Sequence, residues 1–232
     1  MKRPLSLFLG MTVFFFGALL LGSSSQAQAM ELRVPQVSQV PDGAWVAPWD
    51  EACEEASTVM VNGFYERKKT ISKETGKQLM QRMIDWENVT FKNYQDTNAE
   101  ETLQLIQQFG SFNASIKRNP SLTDIQAELD AQHPVIAMVD MYKFYNERSQ
   151  GDSYHVFVIV GYDDKAQEFF VNDPGRDQRR YSYDRVMNAL HDYNKTSKEG
   201  DGEPTVLFTS PKTTNLRSAF QHVIDFLKQL FA

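Results

Sequence analysis

"YHVFVIVGYD", residues 154–163, decides the fold. The run is rich in β-branched and aromatic side chains and is apolar at odd and even positions alike. A strand with two apolar faces belongs in the interior of a sheet, covered on both sides. Its neighbours have the same texture. "PVIAMVD" (134–140) is a shorter apolar run bounded by proline, and "EFFVND" (168–173) follows after the tight polar connection "DDKAQ". "TVLF" (205–208) adds a further strand, and residues 182–191 between them have a helical pattern.

Upstream the period changes. Residues 31–50, "ELRVPQVSQVPDGAWVAPWD", are extended and punctuated by proline. Cys53, Ala56, Met60 and Phe64 then fall at helical spacing with Val59 beside them, and Asp50 is the expected N-cap. A second helix is expected over 71–86, with Leu79, Met83 and Trp86 on one side. A third opens at Thr97, where "TNAE" offers a Thr97–Glu100 capping box, and runs through Leu103, Ile106 and Phe109 to Gly110. A fourth begins near Ser121 and carries Leu122, Ile125 and Leu129. Helices first and a mostly antiparallel sheet second make an α+β layout.

The ends have a different character. A basic start (Lys2, Arg3), an apolar run and "SSSQAQA" have the anatomy of a secretory signal peptide cleaved after Ala29. The expected organisation is a signal peptide over 1–29, one domain over 30–212, and an amphipathic helix over 213–232. In that tail Leu216, Phe220, Val223, Leu227 and Leu230 share a face that packs on the body. An exported chain of this kind is expected in the periplasm or outside the cell, with no stable membrane insertion after cleavage.

Composition excludes several functions. The chain holds 24 basic and 30 acidic residues, a formal charge of −6 that falls to near −8 without Lys2 and Arg3. That balance argues against bulk electrostatic binding of nucleic acid. One cysteine permits no internal disulfide and no multi-cysteine metal site. The four histidines show no i, i+4 helical pair. No metal and no cofactor is expected.

The lone thiol, Cys53, lies in "WDEACEEAS" (49–57), in the first turn of its helix. It is buried and inert, paired with another chain, or reactive. Reactivity requires the thiolate. A helix N-terminus favours it by roughly 1 kcal/mol, while Asp50, Glu51, Glu54 and Glu55 oppose a second anion. A histidine must decide the balance. His155 stands at the mouth of the central strand and is the candidate base; the alternative is a core histidine bonded to a carbonyl. His133 has a structural position in a loop, and His191 and His222 fall on helical segments. Asp173, in "VNDPG" (171–175), lies as far beyond the turn near 164 as His155 lies before it, nearly opposite in an antiparallel pair. It either orients the imidazole or only starts the turn at Pro174–Gly175. Asn172 faces away. For an oxyanion, the Cys53 N–H supplies one donor, and Gln36 or Gln39 a second.

"VPQVSQ" (34–39), "CEEAS" (53–57), "HPVIAMVD" (133–140), "YHVFVIVGYDD" (154–164) and "VNDPG" occur in that order. The series resembles the peptidase C39-like domains, papain-like cysteine peptidases whose founding members cleave double-glycine leaders from bacteriocin precursors. The resemblance spans about residues 34 to 208. It implies a papain-like fold, with the nucleophile helix in an N-terminal helical half and the His/Asp sheet in the other. It implies Cys53 as nucleophile, His155 as general base and acid, Asp173 as orienting residue and Gln39 as oxyanion donor. Two departures stand out. The interval from Gln39 to Cys53 is stretched, and Ala-Cys-Glu replaces the common Asp-Cys-Gly. Membrane spans and an ATPase are missing, so leader processing during export is not implied. The resulting expectation is an exported bacterial thiol hydrolase acting on a peptide or protein substrate. The alternative is a catalytically inactive peptide-binding domain on the same fold. A Cys-His-His peptidoglycan-peptide hydrolase fits "VNDP" poorly.

Overall fold

A computed structural model of the chain describes residues 28–145 and 154–212. Most of the expected signal peptide, the polar stretch before Tyr154, His222 and the expected tail helix lie outside the described residues. The body is an antiparallel sheet of seven strands: β1 (Ala29–Glu31), β2 (Phe112–Arg118), β3 (Val135–Asp140), β4 (Tyr154–Asp163), β5 (Glu168–Asp173), β6 (Asp177–Ser182) and β7 (Thr205–Pro211). Their order is β2-β7-β3-β4-β5-β6, with β1 paired to the hairpin end of β4. Among the described residues six α-helices complete it: α1 (Cys53–Tyr65), α2 (Lys73–Thr90), α3 (Ala99–Phe109), α4 (Leu122–Asp130), α5 (Met141–Tyr145) and α6 (Tyr183–Ala189).

β4 is central, as its two apolar faces require. Val156, Val158 and Val160 look toward a core built with Val59 and Met60 of α1, Met83 and Ile84 of α2, and Leu105 and Ile106 of α3. Phe157 and Ile159 look the other way, into a core shared with Ile125 and Leu129 of α4, Phe144 of α5 and Val186 of α6. Each such fully buried side chain contributes about 1.5–3 kcal/mol. α1 lies between the sheet and two helices, and everything from Cys53 to Gly63 is buried.

One irregularity sets the alternation. Next to the turn, Asp163 faces Glu168 and Gly161 faces Phe170; beyond it, Ile159 faces Val171 and Val158 faces Asn172. A β-bulge between Ile159 and Gly161 therefore inserts one residue into β4. Accordingly, Ile159 and Tyr162 reach the same core although they are an odd number of residues apart. Continuing the register puts Asp173 opposite Phe157, two residues from His155 and on the same face. Without the bulge Asp173 would lie opposite Val158, and His155 would point to the other side.

Several local expectations shift. Asp50 does not cap α1; it sits in a single 3-10 turn, Trp49–Glu51, and the N-cap is Ala52, which makes no side-chain bond. α2 starts after the Ser72 cap and runs on to Thr90. The capping box of α3 is Asn98–Glu101, one residue later than expected. β1, β2 and β6 were not anticipated. β2 is largely polar, and β6 is exposed except at Tyr181. The cut expected after Ala29 falls inside β1. Among the described residues, no helix is long and apolar enough to cross a membrane.

Candidate active site

Cys53 is the first residue of α1, and the helix carries no side-chain cap. A capping side chain there would occupy first-turn N–H groups that an anion on or near the sulfur needs. The thiol is 5 % exposed and opens on a cleft of about 350 Å³. Gln39, His155 and Asp173 line the same cleft, so all four residues singled out in the sequence converge on one site.

His155 and Asp173 are joined directly. His155 Nε2 lies 2.9 Å from Asp173 Oδ1. This contact leaves Nδ1 as the ring nitrogen for exchange with another group. Asp173 is fully buried and further held by the Gly175 N–H at 2.9 Å and by the Tyr145 hydroxyl, which donates to Oδ2 at 3.0 Å. Burial alone would raise its carboxyl. The His155 charge and hydrogen bond, with those from Gly175 and Tyr145, outweigh burial and hold it below the ordinary carboxylate range. The Arg176 guanidinium stacks 4.0 Å from the Tyr145 ring centroid, bracing the group that braces Asp173.

The 34–39 segment is tied to the end of β5. Gln36 Nε2 donates to the Asp173 carbonyl at 2.7 Å, the Gln39 N–H to the Pro174 carbonyl at 2.9 Å, and Asn172 Nδ2 to the Val34 carbonyl at 2.9 Å. Gln36 and Asn172 are thus structural ties, while the Gln39 side chain reaches the cleft. Its Nε2 donates to the carbonyls of Trp49 at 3.3 Å and Asp50 at 3.1 Å, which links it to the turn entering α1. An N–H turned toward an oxyanion must leave one of these carbonyls, a cost of about 1 kcal/mol.

The acidic neighbours of the thiol are not equivalent. Glu54 is 2 % exposed, with Oε2 at 3.0 Å from Cys53 Sγ and Oε1 accepting from the Thr97 N–H at 2.9 Å and hydroxyl at 3.3 Å. Burial first, then the charges of Glu55 and Asp96, hold its carboxyl well above the usual range. Glu55 turns away from the cleft and meets Glu87 of α2, the two perturbing one another. Asp50 and Glu51 line the cleft wall. Among the described residues, no group of three or more His, Cys, Asp or Glu is arranged to hold a metal ion.

Sequence reasoning missed Tyr145, Thr97 and Arg176. Thr97 was assigned to a capping box, and a single tyrosine on the short α5 gives no signal. Trp45, 56 % exposed beside the cleft, was also passed over.

Comparison with known proteins agrees with this architecture. The model of the peptidase C39-like family matches residues 31–201. No curated protein matches the chain. A crystal structure assigned as a C39-like peptidase from Bacillus anthracis is similar at a TM-score of 0.51 and 14% identity, covering 78% of this chain and 97% of that one. A double-glycine-motif protease from an AMS/PCAT transporter, solved in complex with the leader peptide, aligns at a TM-score of 0.44 and 16% identity, over 81% of this chain and 100% of that one. The fold is the papain-like one, an N-terminal nucleophile helix packed on a mostly antiparallel sheet.

Proposed function

This chain belongs to the peptidase C39-like family, and on that premise we propose that it is a cysteine peptidase cleaving a peptide or related amide bond. The observation that carries the reading is the 2.9 Å contact between His155 Nε2 and Asp173 Oδ1 on the wall of the cleft that Cys53 enters at a helix start. In this reading His155 takes the thiol proton through Nδ1, and the Cys53 thiolate attacks the substrate carbonyl. The C–S bond forms and the oxyanion is held by the Cys53 N–H and Gln39. His155 returns its proton to the departing amine as the C–N bond breaks. Water, deprotonated by His155, then cleaves the thioester, releasing the acid and the thiol. Asp173 fixes the imidazole tautomer throughout.

Export fits the N-terminal pattern of basic start, apolar run and small residues, with residues 1–29 removed and the domain acting outside the cytoplasm. A second reading, a peptide-binding domain without turnover, draws on the Cys53 Sγ–Glu54 Oε2 contact. The test is iodoacetamide labelling of Cys53 across pH, together with turnover of a peptide library by wild type and Cys53→Ala. Rapid labelling well below pH 8 and loss of turnover in Cys53→Ala are expected. Labelling at the rate of an ordinary thiol, or turnover that survives Cys53→Ala, overturns the proposal.

A further inference from the structure

The carboxyl beside the nucleophile is the difficulty for any thiolate mechanism here. The geometry removes it. The two oxygens of Glu54 have different partners: Oε1 accepts two hydrogen bonds from Thr97, and Oε2 points at the sulfur 3.0 Å away. With the thiol protonated, Sγ–H donates to Oε2; once the sulfur is ionised, a neutral carboxylic acid fits the same division, its carbonyl oxygen accepting from Thr97 and its hydroxyl oxygen donating to sulfur. We propose that Glu54 is a protonated acid whose Oε2–H donates a hydrogen bond to the Cys53 thiolate, so that it holds the nucleophile instead of repelling it. The proposal rests on Cys53 being the reacting thiol.

The surroundings suit a neutral group. None of the ion pairs among the described residues involves Glu54. The titratable groups near it are Cys53 and Glu55 on its own helix, Asp96 before α3, Glu87 on α2, Tyr154 on β4 and Tyr193 before β7, and none of them is a cation. The acid is held in place by the Thr97 N–H and hydroxyl. Thr97 is held in turn by its Oγ1 contact with Thr102 Oγ1 at 3.0 Å and by the Tyr154 hydroxyl, which donates to its carbonyl at 3.0 Å.

The Glu54 proton is not consumed. As the sulfur attacks and its charge moves to the substrate oxygen, the hydrogen bond from Oε2 weakens. As the thioester breaks and charge returns to sulfur, the bond re-forms. The proton given to the leaving amine is the one His155 took from the thiol.

The rate of Cys53 alkylation by iodoacetamide against pH tests this without a peptide substrate. Glu54→Gln keeps a donor, and its alkylation midpoint should stay within a few tenths of a pH unit of wild type. Glu54→Leu removes the donor, and its midpoint should rise by about one pH unit, about ten-fold slower labelling below the midpoint. If Glu54 is an anion, both substitutions remove a negative charge and both midpoints fall; that result overturns the proposal. The infrared difference spectrum of wild type against Glu54→Gln at neutral pH decides independently, even if the leucine variant does not fold. A protonated-carboxyl band lost in the variant is expected, and its absence refutes the assignment. A wild-type thiol of ordinary reactivity would instead overturn the peptidase reading, while the infrared band still reports on Glu54.

Discussion

Replacing Glu87 with glutamine should make the protein less sensitive to alkaline pH. Glu87 of α2 is fully buried and Glu55 of α1 is 1 % exposed; the two carboxyls face each other, and neither has a hydrogen-bond partner outside the pair among the described residues. Burial, more than any charge, lifts the Glu87 carboxyl from 4.5 to about 8, and burial and the Glu87 charge raise Glu55 well above its usual value. The sign follows from which state binds the proton. Between the unfolded value and about 8, the folded chain keeps a proton that the unfolded chain has released. Stability therefore falls as pH rises through that window, by about 1.4 kcal/mol per pH unit for each such carboxyl. For Glu87 alone, the loss between about pH 5 and about pH 8 is on the order of 4 kcal/mol. Glu87→Gln buries an amide whose own cost is independent of pH, so the slope is diagnostic and the absolute stability is not. Urea denaturation of both proteins at several pH values measures it. The variant's curve should be shallower by about 1.4 kcal/mol per pH unit, with the two proteins diverging most on the alkaline side. Parallel curves across the whole range would show that Glu87 is ionised in the fold and would refute the reasoning.

Three other outcomes are expected. Asp173→Asn keeps the shape but loses the charge that fixes the His155 tautomer, so kcat on any cleaved peptide should fall by about two to four orders of magnitude with little change in KM; a loss confined to KM would contradict the assigned role. Gln39→Ala should lower kcat by about 100-fold or more, and steady-state kinetics showing an unchanged kcat would remove Gln39 from the oxyanion site. Gly161→Ala drives a new Cβ into the Met30 carbonyl oxygen and within 2.8 Å of Glu31 Cα, both backbone atoms of β1 that cannot swing away. It should cost about 1–3 kcal/mol in a denaturation midpoint, and a neutral result would mean that β1 is not seated on β4.

The parts of the fold visible in the sequence are those where burial writes a period into the chain. β4 is apolar on both faces because helices cover both, and α1 shows its apolar stripe from Cys53 onward. Edge strands leave no such record. "FNASIKR" in β2 and "DQRRYS" in β6 have at most one covered face. The Thr97–Glu100 capping box was a fair reading of local chemistry, but the Thr97 N–H and hydroxyl go to Glu54, and Asn98 caps α3 instead. A contact spanning 43 residues is not written in a four-residue motif. The contact between His155 and Asp173 was expected from their equal distances to the turn. The structure joins them diagonally, after a register shift that no residue type announces. Tyr145 could not have been found from sequence, because nothing in a short helix says that its hydroxyl ends on a carboxylate.

The bulge in β4 makes the spacing between the turn and His155 a counted quantity. Residues 164–167 close a surface hairpin, and a longer or shorter connection there leaves the pairing on both sides intact. Between Val156 and Ile159 the tolerance is nil in steps of one while the bulge holds. Removing Val160 would erase the bulge and leave Ile159 opposite Val171, with the imidazole still on the Asp173 face, whereas removing Val158 with the bulge kept would send it toward the opposite layer, away from its carboxylate. Adding two residues would keep it on the correct side but carry it past Asp173. Alignments of this family should therefore show gaps in the hairpin and a fixed count along the strand, and loop grafting into this scaffold should stop short of Gly161.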